Sequence, residues 1–228
     1  MSIIFIRHGE SVWNSDTDKR FTGWEDIPVT EESYPTIRQG GDILLQNHYE
    51  FDYVITSTLT RSIITAWHLM HHMNQLWRPE IRDWQLNPRH YGALQGMSHT
   101  DAIQSYGQES IKNVRGDFNT QAPILNEADD RNPRNHPAYQ NIEYMLPLGE
   151  SYADLEVRVN RHIKDTLEPL LQKKKKVLVV AHDHSLKILI KYFQNLSEEE
   201  TVNITFPPGK PFSLTFEKDN LVRFFIEG

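Results

Sequence analysis

The sequence contains no cysteine, and it also lacks any long apolar run. The first absence excludes disulfides and thiolate catalysis, and it is typical of a reducing compartment. No stretch of about 18 uninterrupted apolar residues occurs, and no basic segment precedes a signal-like apolar stretch at the N-terminus. We therefore expect a cytoplasmic protein with no transmembrane helix and no membrane partner.

Positive charge is scarce, with 24 Lys and Arg against 31 Asp and Glu and a net charge of −7. A protein with this net negative charge repels nucleic acids and anionic membranes, so we expect no nucleic-acid partner. The one basic block, Lys173 to Lys176, precedes an apolar run and is typical of a solvated turn. Any site for an anion must therefore be built locally.

Short apolar runs rich in β-branched residues alternate with helical patterns. The runs are SIIFI (2 to 6), FDYVITS (51 to 57) and VLVVA (177 to 181). Helical patterns follow the last two runs, from about Thr60 to Met73 and over 185 to 193, where Ser185 is the expected cap. The alternation predicts an α/β fold with a largely parallel sheet and helices on both faces. The length suits a single domain over 1–228.

Two further helices and a hairpin complete the predicted elements. Thr30 is expected to cap a helix that runs to about Gln46, with Pro35 in its first turns and Gly40 and Gly41 weakening its middle. Residues 150 to 171 form an amphipathic helix whose apolar positions recur at spacing four, namely Leu155, Val159, Ile163 and Leu167. A terminal hairpin turns around Asp219 and Asn220.

The segment from about 116 to 147 is rich in Asn, Asp, Arg and Pro and shows no periodicity. A structureless stretch of this length inside a compact domain is usually functional. We interpret it as an irregular insertion over the active site.

The ends of the predicted strands carry side chains that suit a phosphoryl group. In a doubly wound sheet, ligands bind beyond the carboxyl ends of the strands. Those ends bring Arg7 with His8, Arg61 slightly further on, and His182. A guanidinium group can donate two parallel hydrogen bonds to phosphate oxygens. The helix after His182 would point its N-terminus, with its free backbone amides and partial positive charge, at the same group. The pattern predicts a phosphoryl-binding crevice.

Six motifs also carry a family resemblance: IFIRHGESVWN (4 to 14), RFTGW (20 to 24), FDYVITSTLTRSIITAW (51 to 67), RHYGALQG (89 to 96), LPLGES (146 to 151) and VVAHDHSLK (179 to 187). They are spread from position 4 to position 187, and the resemblance extends over nearly the whole chain. The sequence resembles the 2,3-bisphosphoglycerate-dependent phosphoglycerate mutases of the histidine phosphatase superfamily. The resemblance implies an isomerase of glycolysis, a homodimer, and 2,3-bisphosphoglycerate as phosphoryl primer.

The resemblance also implies roles for single residues. His8 would accept the phosphoryl group, while Arg7, Arg61 and His182 hold its oxygens, with no metal required. The implied substrate contacts are Asn14 at the phosphoryl group, Thr22 and Gly23 at the carboxylate end, Arg89 and Tyr91 lining the pocket, and Arg115 as the first member of an arginine pair.

The chain departs from the family pattern at several positions. Pro88 stands where the family has the glutamate that acts as general acid, and proline cannot titrate. His99 replaces a substrate-binding lysine, and Gly116 replaces the second arginine of the pair. The family's AHGNS is AHDHS here, with Asp183 and His184. These changes fall on residues that transfer protons or anchor the substrate in the family. The residues that bind the phosphoryl group are unchanged.

Asp183 and His184 each allow two interpretations. Asp183 follows His182 as the proton-donating aspartate does in the acid phosphatase and phytase branch of the superfamily, so the acid could have moved there. Alternatively, Asp183 caps the helix that starts near His184 or Ser185. His184 could replace an amide hydrogen bond or donate a proton itself.

Three functions follow from these observations. The first is a mutase that interconverts 3- and 2-phosphoglycerate through a phosphohistidine at His8. The second is a phosphatase of a small phosphorylated metabolite with Asp183 as acid, in which water takes the phosphoryl group. The third is a protein that binds a phosphorylated ligand without turnover.

Overall fold

The computed structural model describes residues 2–15, 19–217 and 220–225, and its centre is a six-stranded sheet. The strands are β1 (Ser2–Arg7), β2 (Tyr53–Thr56), β3 (Glu80–Arg82), β4 (Val177–Ala181), β5 (Pro211–Glu217) and β6 (Asn220–Phe225). Their order in the sheet is β3-β2-β4-β1-β5-β6. The first four are mutually parallel, and β5 and β6 are antiparallel to their neighbours. The predicted, largely parallel α/β sheet is confirmed.

Helices cover both faces of this sheet, as predicted. They are α1 (Val12–Ser15), α2 (Tyr34–Gln46), α3 (Thr60–His72), α4 (His99–Tyr106), α5 (Gln108–Gly116), α6 (Tyr152–His162), α7 (Glu168–Gln172), α8 (Asp183–Gln194) and α9 (Glu198–Asn203). One apolar core joins the sheet to α2 and α3, and another joins its opposite face to α6 and α8. The helices α1, α4, α5 and α9 were not predicted. None of the helices in the described ranges has the length and apolar character needed to cross a bilayer.

β4 explains why an uninterrupted apolar run became the centre of the sheet. It lies between β1 and β2, and each of its residues is fully buried. A parallel strand that is covered by helices on both faces of the sheet needs apolar side chains on both of its own faces. The sequence VLVVA has an apolar residue at every position and meets this requirement. The C-terminal hairpin is also confirmed by the pairing of β5 with β6. Its turn residue Asp219 lies outside the described residues.

The predicted long helix forms, with an interruption. Leu155, Val159, Ile163 and Leu167 are all fully buried on the face that covers the sheet. Ser151 caps α6 in a capping box with Asp154, and a π-helical turn over Ile163–Leu167 joins α6 to α7. At α2, Pro35 occupies the first turn as expected, whereas Thr30 precedes a 3-10 turn and makes no capping bond.

Gly40 in α2 is required by a close approach of the backbone. A Cβ atom at this position would collide with the carbonyl oxygen of Gly209. We expect Gly40→Ala to lower the free energy of unfolding by about 1–3 kcal/mol, as overpacking does. The matched control is Gly116→Ala at the end of α5, where a Cβ would meet nothing within 4 Å. It should be neutral or stabilising by up to about 1 kcal/mol. Urea unfolding of both variants tests this, and equal stability would contradict it.

The segment after α5 lies beside the active site and does not cover it. It contains two 3-10 turns, Pro133–Asn135 and Pro137–Tyr139, and is otherwise irregular, as predicted. Tyr139 packs against Trp24, with ring centres 5.2 Å apart, and its hydroxyl accepts a hydrogen bond from Asn87 (2.9 Å). No residue of 117–147 lines the cavity described below. The prediction of a covering insertion is therefore wrong, because these aromatic contacts hold the segment to the side.

Candidate active site

The carboxyl ends of β1 and β4 bring the predicted phosphoryl-binding residues together. Arg7 at the end of β1 pairs with Ala181 at the end of β4, and the His8 amide donates to the Ala181 carbonyl (3.0 Å). β2 lies on the other side of β4, so α3 begins nearby and supplies Arg61. The crevice expected beyond the strand ends is therefore present.

His8 has the geometry of a nucleophile. Its Nδ1 donates a hydrogen bond to the Gly9 carbonyl (2.7 Å), so the proton is on Nδ1 and Nε2 keeps its lone pair. Burial lowers the pKa of His8 well below its ordinary value, and the charges of Arg61 and Arg7 lower it further. The ring is therefore neutral at physiological pH, which is the form that can attack phosphorus.

His182 lies against His8, with ring centres 4.9 Å apart. Its Nε2 forms a hydrogen bond with the Ser57 hydroxyl (2.7 Å), while its buried Nδ1 has no partner. Burial, followed by the charge of Arg61, lowers the pKa of His182 well below its ordinary value. A buried nitrogen without a partner beside the nucleophile is suited to contact a phosphoryl oxygen.

Two guanidinium groups supply the positive charge. Arg61 is 2% exposed and donates to the carbonyl oxygens of Gly23 and Glu25, both at 2.7 Å. Burial lowers the pKa of Arg61 to about 10, so it remains charged at neutral pH. Arg7 donates to the Phe206 carbonyl (3.1 Å), and its buried Nε has no partner. Their remaining N–H groups can bind phosphoryl oxygens.

These groups line a cavity of about 490 Å³. The predicted site residues that line it are Arg7, His8, Asn14, Thr22, Gly23, Arg61, Tyr91, Arg115, His182, Asp183 and His184. Other residues that line the cavity were not predicted, including Thr205 and Pro208 from the loop before β5. These two residues belong to no recognisable motif. Glu10 and Ser11 also line the cavity and could have been found, because they belong to the RHGES motif.

Residues 3–143 and 115–223 match the family described as "Histidine phosphatase superfamily (branch 1)". The chain belongs to this superfamily. The resemblance stated above is thereby confirmed at the level of the superfamily, and membership of its mutase family stays a prediction.

Solved structures of other proteins share this fold. The alpha-ribazole phosphatase from Shigella flexneri is 20% identical with a TM-score of 0.73, and the match covers 99% of this chain and 95% of that one. YhfR of Bacillus stearothermophilus is 20% identical with a TM-score of 0.72, covering 99% of each chain. A mycobacterial glucosyl-3-phosphoglycerate phosphatase is 16% identical with a TM-score of 0.68, covering 98% of each. Identities this low establish similarity of fold.

Arg89 is the one predicted site residue that does not line the cavity of this superfamily member. It is fully buried, and its guanidinium lies 4.4 Å from the ring centre of Tyr152 and 4.9 Å from that of Tyr91. These cation–π contacts fix the guanidinium between two rings, and its three nitrogens are buried without a hydrogen-bond partner, so the substrate contact expected of Arg89 stays a prediction.

Pro88 lines the cavity and is fixed by its carbonyl group. That oxygen accepts hydrogen bonds from the Trp24 indole (2.7 Å) and from Arg158 (2.8 Å). Arg158 also donates to the carbonyl groups of Gln85 (2.7 Å) and Asn87 (2.8 Å). The segment therefore has a precise position but offers no titratable side chain at position 88.

A buried ion pair holds this segment in place. Arg158 forms a bidentate pair with Glu150, at 2.7 and 2.8 Å, and the two side chains are 5% and 3% exposed. Glu150 also accepts the backbone N–H of His90 (2.7 Å). Sequence reasoning quoted Glu150 within LPLGES but gave no role to it or to Arg158. The pair supports the cavity wall from behind.

Asp183 does not cap α8. The helix begins at Asp183 itself, and the cap position is His182, whose side chain makes no capping bond. The Asp183 carboxylate instead pairs with Lys187 one turn later (3.0 Å), and Ser185 donates to the carbonyls of Leu86 and Asn87. The capping interpretation is therefore wrong, and so is the predicted start at Ser185. An i, i+4 partner attracts the carboxylate away from the backbone.

The two histidines at substituted positions, His184 and His99, both have packing partners. His184 places Nε2 3.5 Å from the Tyr91 hydroxyl and its ring 5.0 Å from that of Tyr152. Burial, followed by the charge of Arg89, lowers the pKa of His184 well below its ordinary value. His99 packs on Phe21, with ring centres 4.7 Å apart. The roles predicted for His184 in substrate binding or proton donation stay predictions.

The lowered pKa of His8 predicts an unusual pH profile. The neutral imidazole is the reactive form, so a pKa well below its ordinary value keeps the nucleophile competent as pH falls. We expect the rate of His8 phosphorylation to stay constant from neutral pH down to about pH 5, after correction for ionisation of the substrate. Rapid-quench measurement of phosphohistidine tests this. A decrease centred on the ordinary histidine pKa would contradict it.

Proposed function

We propose that this protein is a phosphatase of small phosphorylated metabolites that works through a phosphohistidine at His8. The observation that carries the proposal is the state of His8. It is neutral, it keeps the Nε2 lone pair, and it shares a cavity with two arginines that can neutralise phosphoryl charge.

Access of water supports hydrolysis over transfer to a second acceptor. Glu10, Lys19, Arg20 and Arg115 line the cavity and are exposed to solvent, so its mouth is wet. A mutase must keep the phosphoryl group away from water until it is returned to an acceptor. The fold is also shared with an alpha-ribazole phosphatase and a glucosyl-3-phosphoglycerate phosphatase.

The site offers less support for a mutase with a 2,3-bisphosphoglycerate primer. Position 88 carries no acid, His99 packs on Phe21, and Gly116 has no side chain that could hold a second anionic group. These three positions therefore supply none of the contacts that the family resemblance implies for a bisphosphorylated primer. The proposed cycle uses none, because each substrate molecule supplies the phosphoryl group to His8 itself.

The test combines phosphoenzyme trapping with product analysis. The purified protein is incubated with p-nitrophenyl phosphate, and separately with 3-phosphoglycerate plus 2,3-bisphosphoglycerate. Phosphate release together with acid-labile phosphohistidine supports the proposal. Formation of 2-phosphoglycerate without phosphate release identifies a mutase instead. Binding of inorganic phosphate with no labelling and no turnover identifies a protein that only binds phosphorylated ligands.

A further inference from the structure

We propose that Ser57 is a positioning residue for the phosphoryl transfer. Its hydroxyl donates a hydrogen bond to the Nε2 of His182, so the ring carries its proton on Nδ1 and donates it to a phosphoryl oxygen. Ser57 does not line the cavity and acts through the histidine, which does. The inference rests on the proposed phosphatase function and deepens it, and it comes from the hydrogen bonds of one buried hydroxyl.

The sheet places Ser57 beside His182. β2 and β4 are parallel neighbours, and Thr56 at the end of β2 is in register with Val180 near the end of β4. The residues that follow the two strand ends therefore lie close together, although they are 125 positions apart in the sequence. The Ser57 Oγ is 2.7 Å from the His182 Nε2, and Ser57 is fully buried.

A neighbour of Ser57 determines the direction of this bond. The backbone N–H of Leu59, the residue before α3, donates to the Ser57 Oγ (3.2 Å). A hydroxyl has one hydrogen and can accept two hydrogen bonds. Since an amide N–H can only donate, Leu59 uses an acceptor position and leaves the hydroxyl hydrogen free. In the described part of the chain, the acceptor within reach of that hydrogen is the His182 Nε2.

The opposite direction would bury a donor that nothing can satisfy. If Nε2 carried the proton and donated it to Ser57, the serine O–H would have no acceptor among the described residues. An unmade hydrogen bond of this kind is costly. The tautomer with the proton on Nδ1 instead leaves its free N–H on a ring that lines the cavity. That nitrogen has no described protein partner, so a phosphoryl oxygen can accept its proton.

The tautomer matters because His182 is neutral. Burial, followed by the charge of Arg61, lowers its pKa well below its ordinary value. An imidazolium would donate from both nitrogens, whereas a neutral ring donates from one. With the proton on Nε2, the lone pair on Nδ1 would repel a phosphoryl oxygen. With the proton on Nδ1, the ring stabilises negative charge beside the lone pair of His8.

The first test locates the proton in the unmodified protein. Labelling the histidines with nitrogen-15 gives ring signals that distinguish a protonated nitrogen from one with a lone pair. The signals of His182 are those absent from the spectrum of His182→Gln. We expect a proton on Nδ1 at neutral pH, with and without inorganic phosphate. A proton on Nε2, or protons on both nitrogens, would overturn the inference.

Ser57→Ala provides the second test, because it removes the hydroxyl and keeps the ring. Nothing then fixes the tautomer, so the nitrogen-15 signals should shift toward a mixture of the two forms. Loss of one preorganised donor costs about 10²- to 10³-fold, and a ring that donates part of the time should cost less. We expect phosphohistidine formation with p-nitrophenyl phosphate, measured by rapid quench, to slow about tenfold to 100-fold. Ser57→Cys, whose thiol is a weak donor, should restore part of the rate.

The matched control is Thr56→Val, which removes a buried hydroxyl one residue earlier. That hydroxyl donates to the Glu80 carboxylate (3.4 Å) of β3, on the opposite side of β2 from β4. The nitrogen-15 signals of His182 and the rate of phosphohistidine formation should therefore equal those of the parent protein.

The outcomes separate this inference from the proposed function. A slower Ser57→Ala with unchanged His182 signals would show that the hydroxyl only stabilises the fold, and it would overturn the inference. An equal loss of rate in Ser57→Ala and Thr56→Val would do the same, as would an unchanged rate in Ser57→Ala. In each case His8 is still phosphorylated and the phosphatase function stands. Failure to phosphorylate His8 in the parent protein with any substrate would instead reject that function, whereas the tautomer is measured without turnover.

Discussion

Replacing His8 by Ala is expected to abolish phosphohistidine formation and to lower phosphatase turnover by about 10⁴-fold or more. The substitution removes the Nε2 lone pair that the Gly9 carbonyl orients, and a nucleophile has no substitute elsewhere in a covalent mechanism. Labelling with a ³²P-phosphoryl donor and the release of p-nitrophenol measure the two effects independently. Binding of inorganic phosphate should persist, because Arg7, Arg61 and His182 are retained.

The matched control for His8→Ala is His71→Ala, which changes an exposed histidine of α3 that does not line the cavity. Its turnover should equal that of the parent protein. Added imidazole gives a sharper test, because a small nucleophile can enter the space left by the removed ring. Restoration of turnover would place the lost group at the phosphoryl acceptor position. Substantial turnover in His8→Ala without imidazole would contradict the covalent mechanism.

Replacing Arg158 by Met is expected to lower the free energy of unfolding by about 3–5 kcal/mol. The substitution leaves the Glu150 carboxylate buried without its partner, which is the costly way to break a buried ion pair. It also removes the donor to the carbonyl groups of Gln85, Asn87 and Pro88. Because this segment forms part of the cavity wall, the KM for aryl phosphates should rise as well.

Two further variants show whether the loss comes from the unpaired charge. Arg161→Met lies on the same helix, where the guanidinium stacks on the exposed ring of Tyr144 at 4.1 Å. It should cost no more than about 1 kcal/mol. The double variant Arg158→Met, Glu150→Leu removes both charges and should be more stable than Arg158→Met alone. Equal destabilisation by Arg158→Met and Arg161→Met would refute this account. Urea unfolding provides all the values.

Much of the fold could be predicted because it depends on local patterns. The run VLVVA predicted a strand buried on both faces, and the spacing from Leu155 to Leu167 predicted the buried face of α6 and its extension. The helix α4 could also have been found, since Ser98 accepts the Asp101 amide at its start in a recognisable capping pattern. Periodicity and capping are short-range signals, and a single sequence contains them.

The site could be predicted in part, because side-chain partners are chosen over long sequence distances. Arg89 belongs to a motif that implies a place in the pocket, and its contact with the ring of Tyr152 on α6 could not be read from that motif. The segment after α5 is irregular as expected, yet its aromatic contact with Trp24 decides where it lies. Asp183 is different: Lys187 follows at i+4, so the ion pair was readable from the sequence.

The position of β4 determines when this protein can become active during its synthesis. β1 and β2 are not paired with each other, and both pair with β4, which is completed only at Ala181. Until then β1 has no partner, because β5 emerges later still, and the ends that carry His8 and Arg61 remain apart. Contacts so distant in sequence make folding slow and leave strand edges exposed on the growing chain. A chain released early from the ribosome would therefore hold most of the phosphate-binding residues and none of the activity.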